Sequence, residues 1–449
     1  MDDLLRAAAE RASRYLASLP ERRVFPSPEA LAALDRLDGP LPEGPEDPGA
    51  VLALLDEIGS PATVASAGPR YFGFVTGGAL PVTVAANWLA GAWDQNAWSA
   101  VNSPVAARIE EIALSWLLAV LGLPPTCGGA FVTGATMANF AGLAAARHAV
   151  LAAAGWDVES QGLFGAPPIA VVVGDEAHVT LFKELGLLGL GRDRVVRVPV
   201  DGQGRMRASA LPPLSSTTIV CLQAGNVNTG AFDPIGEIIA QAREAGAWVH
   251  VDGAFGLWAA AAPSRAHLIA GVGGADSWAT DAHKYLNTPY DSGLAFVRSP
   301  GHLRAALAAS AAYLVQTEQR EPGQYTPDTS RRARGVEIWA ALRSLGRSGL
   351  ADLIERCCQY AAHFAEGLRA AGFEILNDVA LNQVLVRFGG DETTRRVIAA
   401  VQAEGTLWAG PTVWQGRAAM RISVSSWATT ESDVVRSLEA IIRTARAEG

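Results

Sequence analysis

The sequence predicts an α/β protein built on a mostly parallel sheet. Short apolar runs rich in β-branched residues recur along the chain: Gly129–Thr133, Ile169–Val173, Val195–Val198, Thr218–Leu222, Ala247–Val251 and Leu294–Val297. Segments of helical period stand between several of them. The chain's most informative polar motifs fall where such runs end. Buried strands alternating with helices mark a parallel sheet, and such sheets bind ligands beyond the carboxyl ends of their strands.

A length of 449 residues implies two or three packed units. Hydrophobic residues make up 49% and charged residues 18%, which describes a globular chain. No apolar run reaches the roughly 18 residues that a membrane-spanning helix needs. The net charge of -9 disfavours a nucleic-acid or anionic-membrane surface. Cys127, Cys221, Cys357 and Cys358 lack metal-ligand spacing, and adjacent Cys357 and Cys358 cannot form an ordinary disulfide. The start, Met1-Asp-Asp-Leu-Leu-Arg6, is acidic where a secretory leader is basic. A reduced, cytoplasmic enzyme is expected.

Taken in order, residues 1–70 read as helical at both ends with a proline-rich middle between Asp38 and Pro48. So interrupted a segment cannot bury its own core and is expected to pack on another domain or subunit. Arg70–Gly78 reads as an extended entry, followed by an apolar helix carrying Trp88 and Trp93. Ser103-Pro104 is a good helix start, Val105, Ile109, Ile112, Trp116 and Val120 keep helical spacing, and Gly122 lies at the stop. An alanine-rich helix is expected from about Met137 to Ala154, with others near Leu181–Leu190 and Ile235–Ala245. A polar stretch from Tyr313 to Arg334 reads as a long functional loop. Ile338, Trp339, Leu342 and Leu345 open a further helix, and the remainder alternates helix and strand. The expected units are an arm (1–70), a large domain (71–330) and a smaller α+β domain (331–449).

Five motifs carry chemistry. Lys284 follows His283 in a mostly apolar stretch, Ser277–Gly293. A lysine in such a setting has a partner or a chemical task, and desolvation frees its amine to form a Schiff base with a carbonyl. Thr133-Gly-Ala-Thr-Met-Ala-Asn139 joins a strand to a helix, so backbone N–H groups and the Thr136 hydroxyl make an anion seat. His250-Val-Asp-Gly-Ala-Phe-Gly256 ends a buried run with Asp252, which suits a protonated pyridine nitrogen, and Ala254 leaves room for a flat ring. Asp175-Glu-Ala-His178 offers an imidazole to stack on such a ring. Asn226, Asn228 and Thr229 supply polar groups at another run's end, where a plain Gly/Asn turn is the simpler alternative. A phosphate seat, a stacking imidazole, a pyridinium partner and a Schiff-base lysine are together what pyridoxal phosphate requires.

These blocks, with Tyr71-Phe-Gly-Phe-Val-Thr-Gly-Gly78 and Arg421-Ile-Ser-Val-Ser425, make the chain resemble the group II pyridoxal-phosphate-dependent amino acid decarboxylases, the family of the aromatic amino acid and glutamate decarboxylases. The resemblance implies a fold-type-I, aspartate aminotransferase-like architecture and a homodimer with shared active sites. It implies that Lys284 binds the cofactor, His178 stacks on its ring, Asp252 meets the ring nitrogen and Ala254 lies beneath. It places Ala135 and Thr136 at the phosphate, and Asp281, His283 and Thr229 beside the cofactor. A loop tyrosine donates a proton in the family. Tyr325 is the candidate here, although it precedes Arg331-Arg332 more closely than in the aromatic decarboxylases, and Tyr290 and Tyr313 stay open. The chain also departs from the family at Gly225-Asn226-Val227, where Gly-Thr-Thr is frequent.

The expected reaction turns an L-amino acid into a primary amine and carbon dioxide. Tyr71, Phe72, Phe74, Trp93 and Trp98 lie in or near the family's pocket segment and favour an aromatic or apolar side chain. A glutamate-type substrate would need a cation, with Arg70 or Arg417 as candidates. The alternatives are an aldehyde synthase, which admits oxygen to the same site, and a non-catalytic relative of the fold.

Overall fold

In the computed structural model, seven strands form one sheet: β1 (Gly128–Val132), β2 (Ala170–Gly174), β3 (Val196–Val198), β4 (Thr218–Gln223), β5 (Trp248–Asp252), β6 (Ser277–Asp281) and β7 (Gly293–Val297). Their order is β1-β7-β6-β5-β4-β2-β3. The run from β6 to β3 is parallel, and β7 is antiparallel to both neighbours. The carboxyl ends of β1, β2, β4, β5 and β6 therefore meet the start of β7 along one edge. Six strands coincide with the expected runs. The seventh, β6, has the sequence Ser-Trp-Ala-Thr-Asp and no β-branched run to reveal it. The structure describes residues 1–309 and 320–449, so Tyr313 and the first part of the expected 313–334 loop lie outside the described residues.

One face of the sheet is covered by the helix Ala135–Ala153. Its inward side is built of Ala138, Ala141, Gly142, Ala144, Ala145 and Ala146, all buried, which lets the helix approach closely. A Cβ on Gly142 would stand 2.8 Å from His250 Cε1. The helix Val179–Leu187 lies on the same face, its Leu181 and Leu185 sharing a core with Val173, Ile219 and Cys221. The helix Pro104–Val120 starts where expected, with Ser103 Oγ accepting the Ala106 N–H. The long helix Gly335–Ala370 breaks at Gly346, whose φ of 60° is left-handed.

The chain divides into two compact units that differ from the expected domains. One comprises Ala79–Ala362 and Asn377–Gln383 and holds the large sheet. The other comprises Met1–Gly78, His363–Leu376 and Val384–Gly449, so the N-terminal segment is grouped with the C-terminal one. Its sheet runs β10-β11-β9-β8, from β8 (Glu374–Ile375), β9 (Gln383–Arg387), β10 (Gly410–Trp414) and β11 (Arg417–Ser423). Arg70–Gly78 forms no strand. Tyr71 bridges to Trp408, and Phe74 and Val75 turn the chain through left-handed φ angles. Among the described residues no helix is long and apolar enough to cross a membrane, and the four cysteines are free and buried.

Candidate active site

The sheet edge gathers the predicted residues. Asp281 ends β6, and the chain then turns through Ala282–Leu286, burying all but Lys284. Lys284 Nζ lies 2.8 Å from Asp281 Oδ2, with the lysine side chain 17% exposed and the carboxylate 3%. The lysine thus has a charged partner. Asp281 Oδ1 accepts the Ala135 N–H at 2.5 Å and stands 3.5 Å from His283 Nε2. One carboxylate so ties the lysine turn to the start of the Ala135 helix, and one N–H of the expected anion seat points at Asp281.

His283 is buried and stacks on Tyr290 at 4.2 Å between ring centroids. The Ser292 N–H donates to its Nδ1, so Nε2 carries the hydrogen that faces Asp281. Burial pushes its pKa down, which suits this neutral form. Gly134 and Gly293 let the two chain segments meet, since a Cβ on Gly293 would stand 2.4 Å from Gly134 Cα.

Asp252 ends β5 with its side chain buried, and its Oδ1 accepts the Ala254 N–H. The Ala254 carbonyl accepts the Asp281 N–H, which sets β5 and β6 in step at the edge. Behind them lies a buried polar chain. Trp248 Nε1 donates to Ser277 Oγ, Ser277 Oγ bonds His250 Nδ1, and His250 Nε2 bonds Asn139 Oδ1. Burial pushes the His250 pKa down to about 3, so this imidazole is neutral. Asn139, fully buried, keeps an Nδ2 without a partner in the protein.

His178 caps the helix Val179–Leu187, its Nδ1 lying 2.8 Å from Thr180 Oγ1. Gln223 and Asn226 hold this turn through the Glu176 carbonyl. Thr229 is placed differently from the expectation. Its hydroxyl donates to the Gln203 carbonyl and accepts the Ala231 N–H, within a loop where Asn226 Oδ1 accepts the N–H groups of Asn228 and Thr229. The Gly/Asn turn reading describes this segment. Tyr325 packs against the core cluster that includes the Ala135 helix, with the Arg320 guanidinium 4.7 Å from its ring centroid.

The five aromatics fall in both units. Tyr71 and Phe74 stack on Trp408 at 5.2 and 5.3 Å, and Phe72 packs edge-on against Phe364. In the other unit Trp93 is exposed on the helix Pro81–Trp93, and Trp98 is buried against Gly323. Sequence reasoning missed Asn139, Ser292 and Glu184. Glu184 was open to detection, because helical spacing puts it beside Leu185 and one turn from Leu181, on the apolar side.

A lysine beyond the strand ends, a carboxylate closing the central strand and an imidazole on the neighbouring turn are the groups that a pyridoxal-phosphate enzyme of the aminotransferase-like fold would use. Comparison with known proteins supplies the rest. The family model for the pyridoxal-dependent decarboxylase conserved domain matches residues 28–388. Tryptophan decarboxylase 1 of Oryza sativa subsp. japonica is 28% identical over 418 residues, covering 84% of this chain and 80% of that protein. The L-2,4-diaminobutyrate decarboxylase of Rhizobium meliloti is 29% identical over 440 residues, covering 92% and 85%. The crystal structure of Oryza sativa TDC with PLP and tryptamine matches with a TM-score of 0.90 and 25% identity, covering 99% of this chain and 97% of that one. The chain belongs to the pyridoxal-dependent decarboxylase family and is a pyridoxal-phosphate-dependent carboxy-lyase. The residues present fit the cofactor: an amine for its aldehyde, a helix start for its phosphate and a buried carboxylate for its nitrogen.

Proposed function

We propose that this enzyme decarboxylates an L-amino acid with an aromatic or apolar side chain, releasing the primary amine. The observation that carries the substrate class concerns the two arginines that could have met an acidic side chain. Arg70 is 2% exposed and engaged by Asp433 and by the carbonyls of Pro20, Arg22 and Thr406. Arg417 pairs with Glu374. Phe74, by contrast, is 62% exposed and stacked on Trp408 within its own unit.

In this proposal Lys284 holds the cofactor, His178 lies on its ring, Asp252 meets its nitrogen and Ala254 lies beneath. The Ala135–Thr136 helix start receives the phosphate. Bound pyridoxal phosphate supplies an electron sink for the pair left when the carboxylate departs. Asp281 holds the Lys284 side chain in place at the strand end before the cofactor binds. Asp252, its carboxylate oriented by the Ala254 N–H, favours a proton on the ring nitrogen. His178 is the proposed donor to the α-carbon, and Tyr325, whose ring meets the Arg320 guanidinium, is the alternative. The enzyme is proposed to work as a homodimer. Leu5, Leu41 and Leu55 of the first sixty residues are exposed, which suits burial against a second copy.

The test is an end-point amine assay against the twenty L-amino acids, with hydrogen peroxide read in parallel and Lys284→Ala as the blank. Amine from aromatic or apolar substrates without peroxide supports the proposal. Amine from glutamate or aspartate alone overturns the substrate class, and peroxide matching turnover would make the enzyme an aldehyde synthase.

A further inference from the structure

Glu184 is fully buried in the helix Val179–Leu187, and both its carboxylate oxygens lack a hydrogen-bond partner. A carboxylate in that condition is expensive, and a chain keeps one only where it has a task. Its position identifies the task. In the strand register Cys221 lies opposite His250 and Gln223 opposite Asp252, so all four side chains share a face. Leu181 and Leu185 pack with Cys221 in the core over that face, and Glu184 lies between them on the helix. Glu184 therefore lies inside the protein, in the layer that packs on this face, near enough to feel the Asp252 charge.

Two carboxyl groups in one dry layer do not both ionise. Asp252 accepts the Ala254 N–H, whereas neither Glu184 oxygen meets a donor from another residue, so the proton rests on Glu184. Burial first, and the Asp252 charge second, push the Glu184 pKa up to about 8. The other titratable groups of this layer are Cys221 and His250 from the sheet, Arg147 from the Ala135 helix, and Lys183 beside Glu184. The Cys221 thiol is raised by burial and by both carboxylates, and His250 is neutral. Arg147 is engaged by Glu159 and the Leu188 carbonyl.

We propose that Glu184 is a positioning residue for the cofactor's ring nitrogen, acting through Asp252. It is a neutral acid in the free protein, and it ionises when the ring nitrogen stands protonated against Asp252. The proton count balances without a transfer between the two carboxyl groups, which share no hydrogen bond: Glu184 gives up one proton to solvent as the ring nitrogen holds one against Asp252. The inference rests on the reading that Asp252 meets that nitrogen, and it is independent of which amino acid is the substrate.

The experiment uses the full-length protein, freed of cofactor and titrated with pyridoxal phosphate. Infrared difference spectra are expected to contain the carbonyl stretch of a protonated carboxylic acid. That band should shift when glutamate is labelled with carbon-13, vanish in Glu184→Gln, and disappear on cofactor binding. Glu184→Gln preserves shape and removes the ionisable proton, so a purely structural role predicts unchanged affinity. We expect its dissociation constant for pyridoxal phosphate to rise at least tenfold, with partial recovery in Glu184→Asp. A band absent from the free protein, a band that survives cofactor binding, or affinity within twofold of wild type overturns the proposal. Labelled wild-type protein gives the infrared result even if the variants fail to fold. Asp252→Asn, run in parallel, separates the two readings: unchanged affinity there removes the ring-nitrogen assignment itself, whereas a loss there with a silent Glu184→Gln removes only the role of Glu184.

Discussion

Lys284 and Asp281 form a nearly buried ion pair across one turn, with 2.8 Å between Nζ and Oδ2. The same carboxylate holds the Ala135 N–H. Removing it leaves an ammonium and an amide without their partner. Asp281→Ala is expected to cost about 3–5 kcal/mol, the usual penalty for breaking a buried pair from one side. Denaturant titration of the cofactor-free protein measures this, and a loss below about 1 kcal/mol would show the pair to be solvated.

Lys284→Ala is expected to lower amine formation on the order of a thousandfold or more, as removal of a covalent catalyst does. Borohydride reduction of the loaded wild-type enzyme should fix the cofactor to the peptide containing Lys284. Mass spectrometry of a digest reads the attachment point. Label on another lysine would refute the assignment.

His250 ties stability to pH. Its pKa is about 3 when folded, below the ordinary value of 6.5. Between those values the unfolded chain binds a proton that the folded chain does not. The stability from its neutral form is therefore complete above pH 6.5 and declines as pH falls toward 3, by about 1.36 kcal/mol per unit. The expected loss is about 2 kcal/mol by pH 5. His250→Gln should be less stable at pH 7.5 but show a shallower decline between pH 6.5 and 5 in urea titrations.

Gly293→Ala would put a methyl group 2.4 Å from Gly134 Cα, backbone against backbone. Neither segment can yield without moving the start of the Ala135 helix. A cost of about 1–3 kcal/mol is expected, as for overpacking elsewhere, together with weaker cofactor binding. Fluorescence titration with pyridoxal phosphate checks the second effect. Affinity equal to wild type would mean that the helix start does not depend on this contact.

The parallel sheet was legible because Ile169–Val173, Thr218–Leu222 and Ala247–Val251 are buried on both faces and so are uniformly apolar. The Ser103-Pro104 helix start was legible because capping is local chemistry. His178 and Asp252 could be put at or just beyond strand ends because their blocks follow apolar runs that form β2 and β5. Strand β6 was not, because Ser277-Trp-Ala-Thr-Asp281 owes its extended form to β5 and β7 on either side. Thr229 illustrates the converse: its residue type suited a ligand, but folding brought the Gln203 carbonyl to its hydroxyl.

The sequence alone determined which residue types stand at the ends of strands, since periodicity and motif spacing are properties of the chain. Only the tertiary structure decided their partners. Asp281 meets Ala135 across 146 positions and His250 meets Asn139 across 111. Glu184 loses its water because a helix and a sheet close over it. Contacts of that range, and the desolvation that shifts ionisation, arise from packing between elements and have no signature in local sequence.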